Sequence, residues 1–191
     1  MNIKKTIKSH LPHSSLSKKI WNEEVMLPKF REALLIIANE FIDYLGINID
    51  VTDVTMTGSY ANYNYTVFSD IDLHILVDMS SIDADTDLVE EFFKAKRSFW
   101  NDRHDIELKG IEVELYPQDV KEEHSSSGVY SIQDDEWIVK PRKFKTGFDK
   151  DNVEKIAKKM IKEIIVAIKN SIRDSSTSDI SKMLKKLKKL L

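Results

Sequence analysis

Apolar residues in this chain recur at two spacings, and the changes between them mark out a small set of elements. Phe30, Leu34, Ile37, Phe41 and Leu45 return every three or four residues, which is the spacing of one buried helix face. Pro28 suits the opening turn of that helix, where its missing N–H would be unpaired anyway, and Gly46 supplies the stop. Leu16 to Met26 predicts a shorter helix ahead of it. Ile49 to Thr57 and Phe68 to Val77 read as strands. In the second, Ile71, Leu73, Ile75 and Val77 point one way while Asp70, Asp72, His74 and Leu76 point the other. A helix is expected over Asp83 to Trp100, with Leu88, Phe92, Ala95 and Phe99 on its buried stripe. A third strand is expected over Asp105 to Tyr116, with Gly110 at a turn or bulge and Glu112, Glu114 and Tyr116 on one face.

Further along, Gly128 to Ile132 and Trp137 to Val139 predict two short edge strands around the acidic turn Asp134-Asp135-Glu136. Asp151, with Glu154 three positions on, opens a long helix in the manner of a capping box. Its stripe is Val153, Ile156, Met160, Ile164 and Ile168. Ser175 to Ser178 reads as a linker. In the final helix Ile180, Met183, Leu184, Leu187 and Leu190 lie on one side, with lysines around the rest. That helix is expected to pack on the one before it, with an anionic membrane or RNA phosphates as the other readings. No internal repeat is present. Strands alternating with helices around a small sheet place the chain in the α+β (α/β-like) class. Residues 1–150 are expected to form one domain including the N-terminal helices. Residues 151–191 are expected to form a helical C-terminal extension packed on it.

Composition narrows this picture in three ways. A chain of 191 residues is long enough for one well-buried domain. It contains no cysteine, so disulfides and thiolate metal sites are excluded. No stretch approaches the roughly 20 apolar residues a membrane span needs. The basic N-terminus lacks the apolar core of a secretory signal, which makes a cytoplasmic location the expectation. Charge is unevenly spread. From Trp137 onward there are 16 Lys and Arg against 6 Asp and Glu, a net +10; the overall −3 leaves −13 for the first 136 residues. A basic segment following an acidic one is suited to placing a polyanion beside the acids, although charged helix faces are also ordinary solvent faces.

The most informative stretch is Gly58-Ser59, then ten residues, then Asp70-Ile71-Asp72-Leu73. Side chains two apart on a strand lie about 7 Å apart on one face. Two carboxylates that close repel unless a positive charge lies between them, and a hard divalent cation is the natural candidate. The small-residue turn before them suits a phosphate. This combination resembles the nucleotidyltransferase superfamily of the DNA polymerase β type. Its signature is Gly-Ser or Gly-Gly, a spacer, and Asp-x-Asp or Asp-x-Glu between apolar residues. A third acid follows on a neighbouring strand. Here the sequence Gly110-Ile111-Glu112-Val113-Glu114-Leu115-Tyr116-Pro117 offers two candidates. The family's habit of an acid, two apolar residues and proline favours Glu114, with Glu112 as the substitute.

The resemblance, which covers about Val54 to Pro117, implies the nucleotidyltransferase fold, a mixed sheet flanked by helices. It implies metal-dependent transfer of a nucleoside monophosphate from an NTP to an acceptor hydroxyl, with release of pyrophosphate. Two Mg²⁺ ions, with Mn²⁺ as an alternative, would be held by Asp70, Asp72 and Glu114, the catalytic acids. Gly58 and Ser59 would bind the nucleotide's phosphates. The basic C-terminal part makes an RNA acceptor the attractive choice; small-molecule and protein hydroxyls are the others. Two further readings stand beside this one: a non-catalytic nucleotide- or partner-binding module, and a toxin or antiphage effector that modifies tRNA or protein. His74 is expected to be partly buried and hydrogen-bonded. Tyr130 is considered as a platform for a base, and Lys140 and Arg142 as contacts to phosphate or acceptor.

Overall fold

The computed structural model describes residues 12–124 and 126–143, together with Lys162. The helices expected after Asp151 therefore lie outside the described residues. Pro12–Tyr65 and Ser69–Lys143 form one compact unit, and the architecture below is that of this unit.

It opens with a two-stranded hairpin, β1 (Trp21–Asn22) and β2 (Val25–Met26). Trp21 pairs with Met26 and Asn22 with Val25, so Glu23 and Glu24 form the turn, and Glu23 adopts φ 57°. The helix expected over Leu16 to Met26 is thus replaced by turns and a hairpin. Tertiary packing supplies the reason. Trp21 is 2% exposed, stacks on Trp137 at 4.6 Å and meets Tyr130 edge-on at 4.9 Å. Its indole N–H donates to the Tyr60 carbonyl at 2.9 Å. A buried indole wedged between rings outweighs a weak helical preference in a segment this short.

Helix α1 spans Pro28–Leu45 and buries Phe30, Leu34, Ile37, Ala38, Phe41 and Leu45, with proline in its first turn. It ends at Gly46, whose φ of 72° is the left-handed cap and whose N–H donates to Asp43 O. Both ends and the buried stripe match the sequence expectation.

Five strands form the main sheet in the order β5-β4-β3-β6-β7. They are β3 (Val51–Thr57), β4 (Ile71–Val77), β5 (Val113–Asp119), β6 (Val129–Ser131) and β7 (Glu136–Val139). Only β4 and β5 run parallel; the other pairs are antiparallel. A parallel pair needs a long crossover, and α2 (Thr86–Arg103) provides it. The sheet is mixed and helix-flanked, as expected. In contrast to the edge position foreseen for both short strands, β6 is paired on both sides, and of the two β7 alone lies at an edge. The third strand also begins later than Asp105. Its lead-in turns back on itself through Lys109 (φ 52°) and Gly110 (φ 71°), bridged by Glu107 and Glu112.

The buried face of α2 is offset by one residue from the expected stripe. Val89, Phe93 and Trp100 face inward, while Leu88 and Phe99 are 60% and 57% exposed. Two apolar stripes compete on this helix. The one carrying Trp100 reaches Phe41 of α1 edge-on at 5.4 Å. On the sheet, Val54, Met56, Ile71, Leu73, Ile75, Val113 and Leu115 join the helix residues in one core cluster. Alternation then leaves Thr55, Thr57, Asp72, His74, Glu114 and Tyr116 on the opposite face.

Replacing Trp21 with alanine removes the ring that links the hairpin to β6 and β7. It is expected to cost about 3–5 kcal/mol of stability. Urea unfolding checks this through a lowered midpoint at an unchanged slope.

Candidate active site

Strand register assembles the polar residues in two rows. Thr57 on β3 pairs with Asp72 on β4, which pairs with Glu114 on β5. One step further along, Thr55, His74 and Tyr116 form the second row. Neighbouring strands lie about 4.8 Å apart, so Asp72 and Glu114 rise side by side from adjacent strands. Asp70 immediately precedes β4. The start of that strand is tied to β5 by the Ile71 N–H donating to Glu112 O at 2.8 Å. Of the two candidate third acids, Glu114 is half-buried and level with Asp72. Glu112 lies before the strand, exposed, and bridges to Glu107.

Gly58 follows β3 directly with φ 76° and ψ −160°, a backbone state that L side chains rarely adopt. A Cβ at this position would fall 1.9 Å from Asp72 Oδ2. The Gly58 backbone therefore lies against the Asp72 carboxylate, and no other residue permits that approach. Ser59 begins a single 3-10 turn, Ser59–Ala61. The Asn62 N–H donates to Ser59 O, and the Asn62 side-chain amide donates to Gly58 O at 2.8 Å. Ser127 Oγ in turn donates to Asn62 Oδ1 at 2.9 Å. Gly128 closes the arrangement, since a Cβ there would lie 2.0 Å from the Ala61 carbonyl oxygen. The turn is thus held from behind by the segment that leads into β6.

Electrostatics tie the acids together. The Tyr116 hydroxyl donates to Glu114 Oε2. Burial pushes the Tyr116 phenol well above its usual range, aided by that bond and by the charges of Glu114, Asp72 and Asp70. Burial also raises Tyr60, with Tyr65 and Asp70 adding to it. All three acids therefore act on one phenol, so their fields overlap at the upper end of the sheet face. His74 is held down to about 4, chiefly by burial, and its imidazole is neutral at neutral pH. Its Nε2 lies 3.1 Å from Thr57 Oγ1, and its ring stacks on Tyr116 at 5.2 Å. His74 is the partly buried, hydrogen-bonded histidine that the alternation predicts.

Three carboxylates are the right donor chemistry for a hard divalent cation. Among the described residues, no three His, Asp or Glu groups stand ready-made to hold an ion unaided. Mg²⁺ sites are commonly built from one or two carboxylates plus substrate phosphates. The Asp72–Glu114 row beside the Gly58 turn fits that incomplete kind of site.

Other expectations need correction. Tyr130 is 1% exposed, donates to Asp135 Oδ1 at 2.7 Å and packs edge-on against Trp21 and Trp137. It is a core residue and offers no platform for a base. Lys140 pairs with Glu24 at 3.4 Å instead of facing the acids. The alternation along β5 already placed Tyr116 beside Glu114, although its bond to that acid was not foreseen. The bracing roles of Asn62 and Gly128 were not anticipated: Asn62 closes the turn itself, whereas Gly128 reaches it from a segment distant in sequence.

The model of the nucleotidyltransferase domain matches residues 36–190, and the chain belongs to that family. Neither a curated protein nor a solved structure matches the chain. Membership in the family supports transfer of a nucleoside monophosphate in general terms. No helix among the described residues is long and apolar enough to cross a membrane.

Gly58→Ala is expected to push the Asp72 carboxylate aside and to cost at least about 1 kcal/mol of stability, because φ is positive and the space is filled. It should also weaken NTP binding by about tenfold or more. Thermal melting and calorimetric titration with an NTP measure the two effects separately.

Proposed function

We propose that this protein transfers a nucleoside monophosphate from an NTP to an acceptor hydroxyl, releasing pyrophosphate, with Mg²⁺ or Mn²⁺ held by Asp70, Asp72 and Glu114. The observation that carries this reading is the three-strand row Thr57–Asp72–Glu114, with the Gly58 backbone pressed against its central carboxylate. Glu114 is preferred to Glu112 as the third acid because it stands level with Asp72. Bound between carboxylates and phosphates, a divalent pair would neutralise charge on the attacking and leaving oxygens.

The chain's own groups have separable tasks. Gly58, lacking a side chain, lets a triphosphate approach the backbone, and Ser59 offers a hydroxyl and an N–H to its terminal phosphates. Asp70 and Asp72 lie beside the turn and orient the α-phosphate. Glu114 stands on the far side of Asp72 from Thr57, where the acceptor hydroxyl would enter. The acceptor oxygen bonds to the α-phosphorus as the bond to the leaving pyrophosphate breaks. Positioning and charge neutralisation do most of the work in such phosphoryl chemistry. An RNA 3′ end is the proposed acceptor because the segment from Trp137 onward carries a net +10.

A second reading, a non-catalytic nucleotide-binding module, draws on the Tyr116 hydroxyl occupying a Glu114 oxygen. One assay separates the two. The protein is incubated with NTPs labelled at the α-phosphate, Mg²⁺ and cell extract, and both labelled product and pyrophosphate are measured. Transfer is expected, with loss on chelation and recovery when Mg²⁺ is returned. Asp70→Asn combined with Asp72→Asn should lower the rate by about a thousandfold or more, with an unchanged circular dichroism spectrum. NTP binding without any pyrophosphate release by the wild-type protein would favour the binding module. Undiminished transfer by the double variant would refute the assigned roles.

A further inference from the structure

Glu114 has the longest side chain in the row Thr57–Asp72–Glu114, and a glutamate loses much rotamer freedom when its carboxylate is fixed in place. Tyr116 supplies that fixing. The two residues lie two positions apart on β5, and so on one face of the sheet. The Tyr116 hydroxyl donates to Glu114 Oε2. A bond from a hydroxyl to a carboxylate is charge-assisted and stronger than one between neutral groups.

The phenol is itself held by two other elements. Strand register sets His74 of β4 level with Tyr116, and their rings stack at 5.2 Å with 21° between the planes. The Arg97 guanidinium of α2 lies over the Tyr116 ring, 4.9 Å from its centre. His74 is fixed in turn, its Nε2 lying 3.1 Å from Thr57 Oγ1. A chain of contacts therefore runs from β3 through His74 and Tyr116 to the Glu114 carboxylate.

This chain borders open space. Thr57, His74, Arg97 and Tyr116, with His124 from the segment that crosses from β5 to β6, line a cavity of about 290 Å³. His74 and Tyr116 lie one strand step, about 7 Å, from Asp72 and Glu114. The cavity thus gives room beside the row for the water molecules that Mg²⁺ usually retains.

The Tyr116 bond also bears on which ion suits the row. Mg²⁺ demands near-ideal octahedral geometry, whereas Ca²⁺ is larger and readily accepts both oxygens of one carboxylate. Closing both Glu114 oxygens around a single ion would compete with the phenol for Oε2. We infer that Tyr116 is a positioning residue that presents Glu114 to an ion through one oxygen, favouring Mg²⁺ or Mn²⁺ over Ca²⁺. This inference rests on the proposed nucleotidyltransfer, because that reading is what places an ion at Glu114.

Calorimetric titration of the full chain with Mn²⁺ and with Ca²⁺ tests it. Each titration contains an ATP analogue with a methylene bridge between its α- and β-phosphates and is corrected for ion binding by the analogue alone. Tyr116→Phe removes the hydroxyl and keeps the ring. Mn²⁺ affinity should fall about tenfold or more, the usual scale for losing a group that orients a metal ligand. Ca²⁺ affinity should stay within about threefold, because the released oxygen becomes available to it. A tyrosine that only supports the fold would shift the melting midpoint and leave the ratio of the two affinities alone. Equal changes for both ions, or no change for either, in a variant that melts cooperatively would overturn the inference. Should Tyr116→Phe fail to fold, Glu114→Asp decides, since its carboxylate is withdrawn from the phenol by one methylene. The Mn²⁺ to Ca²⁺ preference should fall there too, and an unchanged preference would refute the role. If the wild-type protein binds neither ion with the analogue, the nucleotidyltransfer reading is lost, and this inference with it.

Discussion

The site depends on one close approach, that of the Gly58 main chain to the Asp72 carboxylate. A Cβ would overlap Asp72 Oδ2 at 1.9 Å, and φ of 76° independently favours glycine. Two separate physical demands therefore converge on one residue. The contact also joins the turn after β3 to the strand that carries Asp72. Antiparallel pairing of Thr57 with Asp72 sets their separation, and Asn62 and Gly128 brace the turn from behind.

The division of the sheet into two faces follows from the same geometry. One face carries Ile71, Leu73, Ile75, Val113 and Leu115 into the core. The other collects acids at its upper end and neutral polar groups below them. Carboxylates gathered in this way repel one another in the absence of a cation, and Tyr116 relieves part of that by donating to Glu114. Among the described residues no three-ligand cage stands ready; Mg²⁺ sites in general are often built from one or two carboxylates plus substrate phosphates.

Much of the framework could be read from residue spacing. Helix α1 was identified to its ends because Pro28, the Phe30–Leu45 stripe and Gly46 all agree, and agreement across levels is what specifies a structure. Strand β3 was read from its β-branched run, and the faces of β4 and β5 followed from alternation. The failures have physical causes. At Leu16 to Met26 the apolar spacing suited a helix, but Trp21 found better packing between Trp137 and Tyr130 as part of a hairpin. On α2 two stripes one residue apart had nearly equal claims, and contact with Phe41 selected the one bearing Trp100. Tyr130, conspicuous in sequence, proved to be a core ring because β6 is an interior strand.

Residue spacing alone placed a glycine-serine turn ahead of paired acids on an amphipathic strand, the pattern that carries the family resemblance, since these depend on contacts within a single turn or strand. The register that sets Glu114 level with Asp72 depends on parallel pairing between strands separated by a whole helix. The same holds for the cavity beside them, whose walls come from β3, β4, β5, α2 and the crossover to β6. Such neighbours are brought together by long-range packing, and no local spacing encodes which of them will meet.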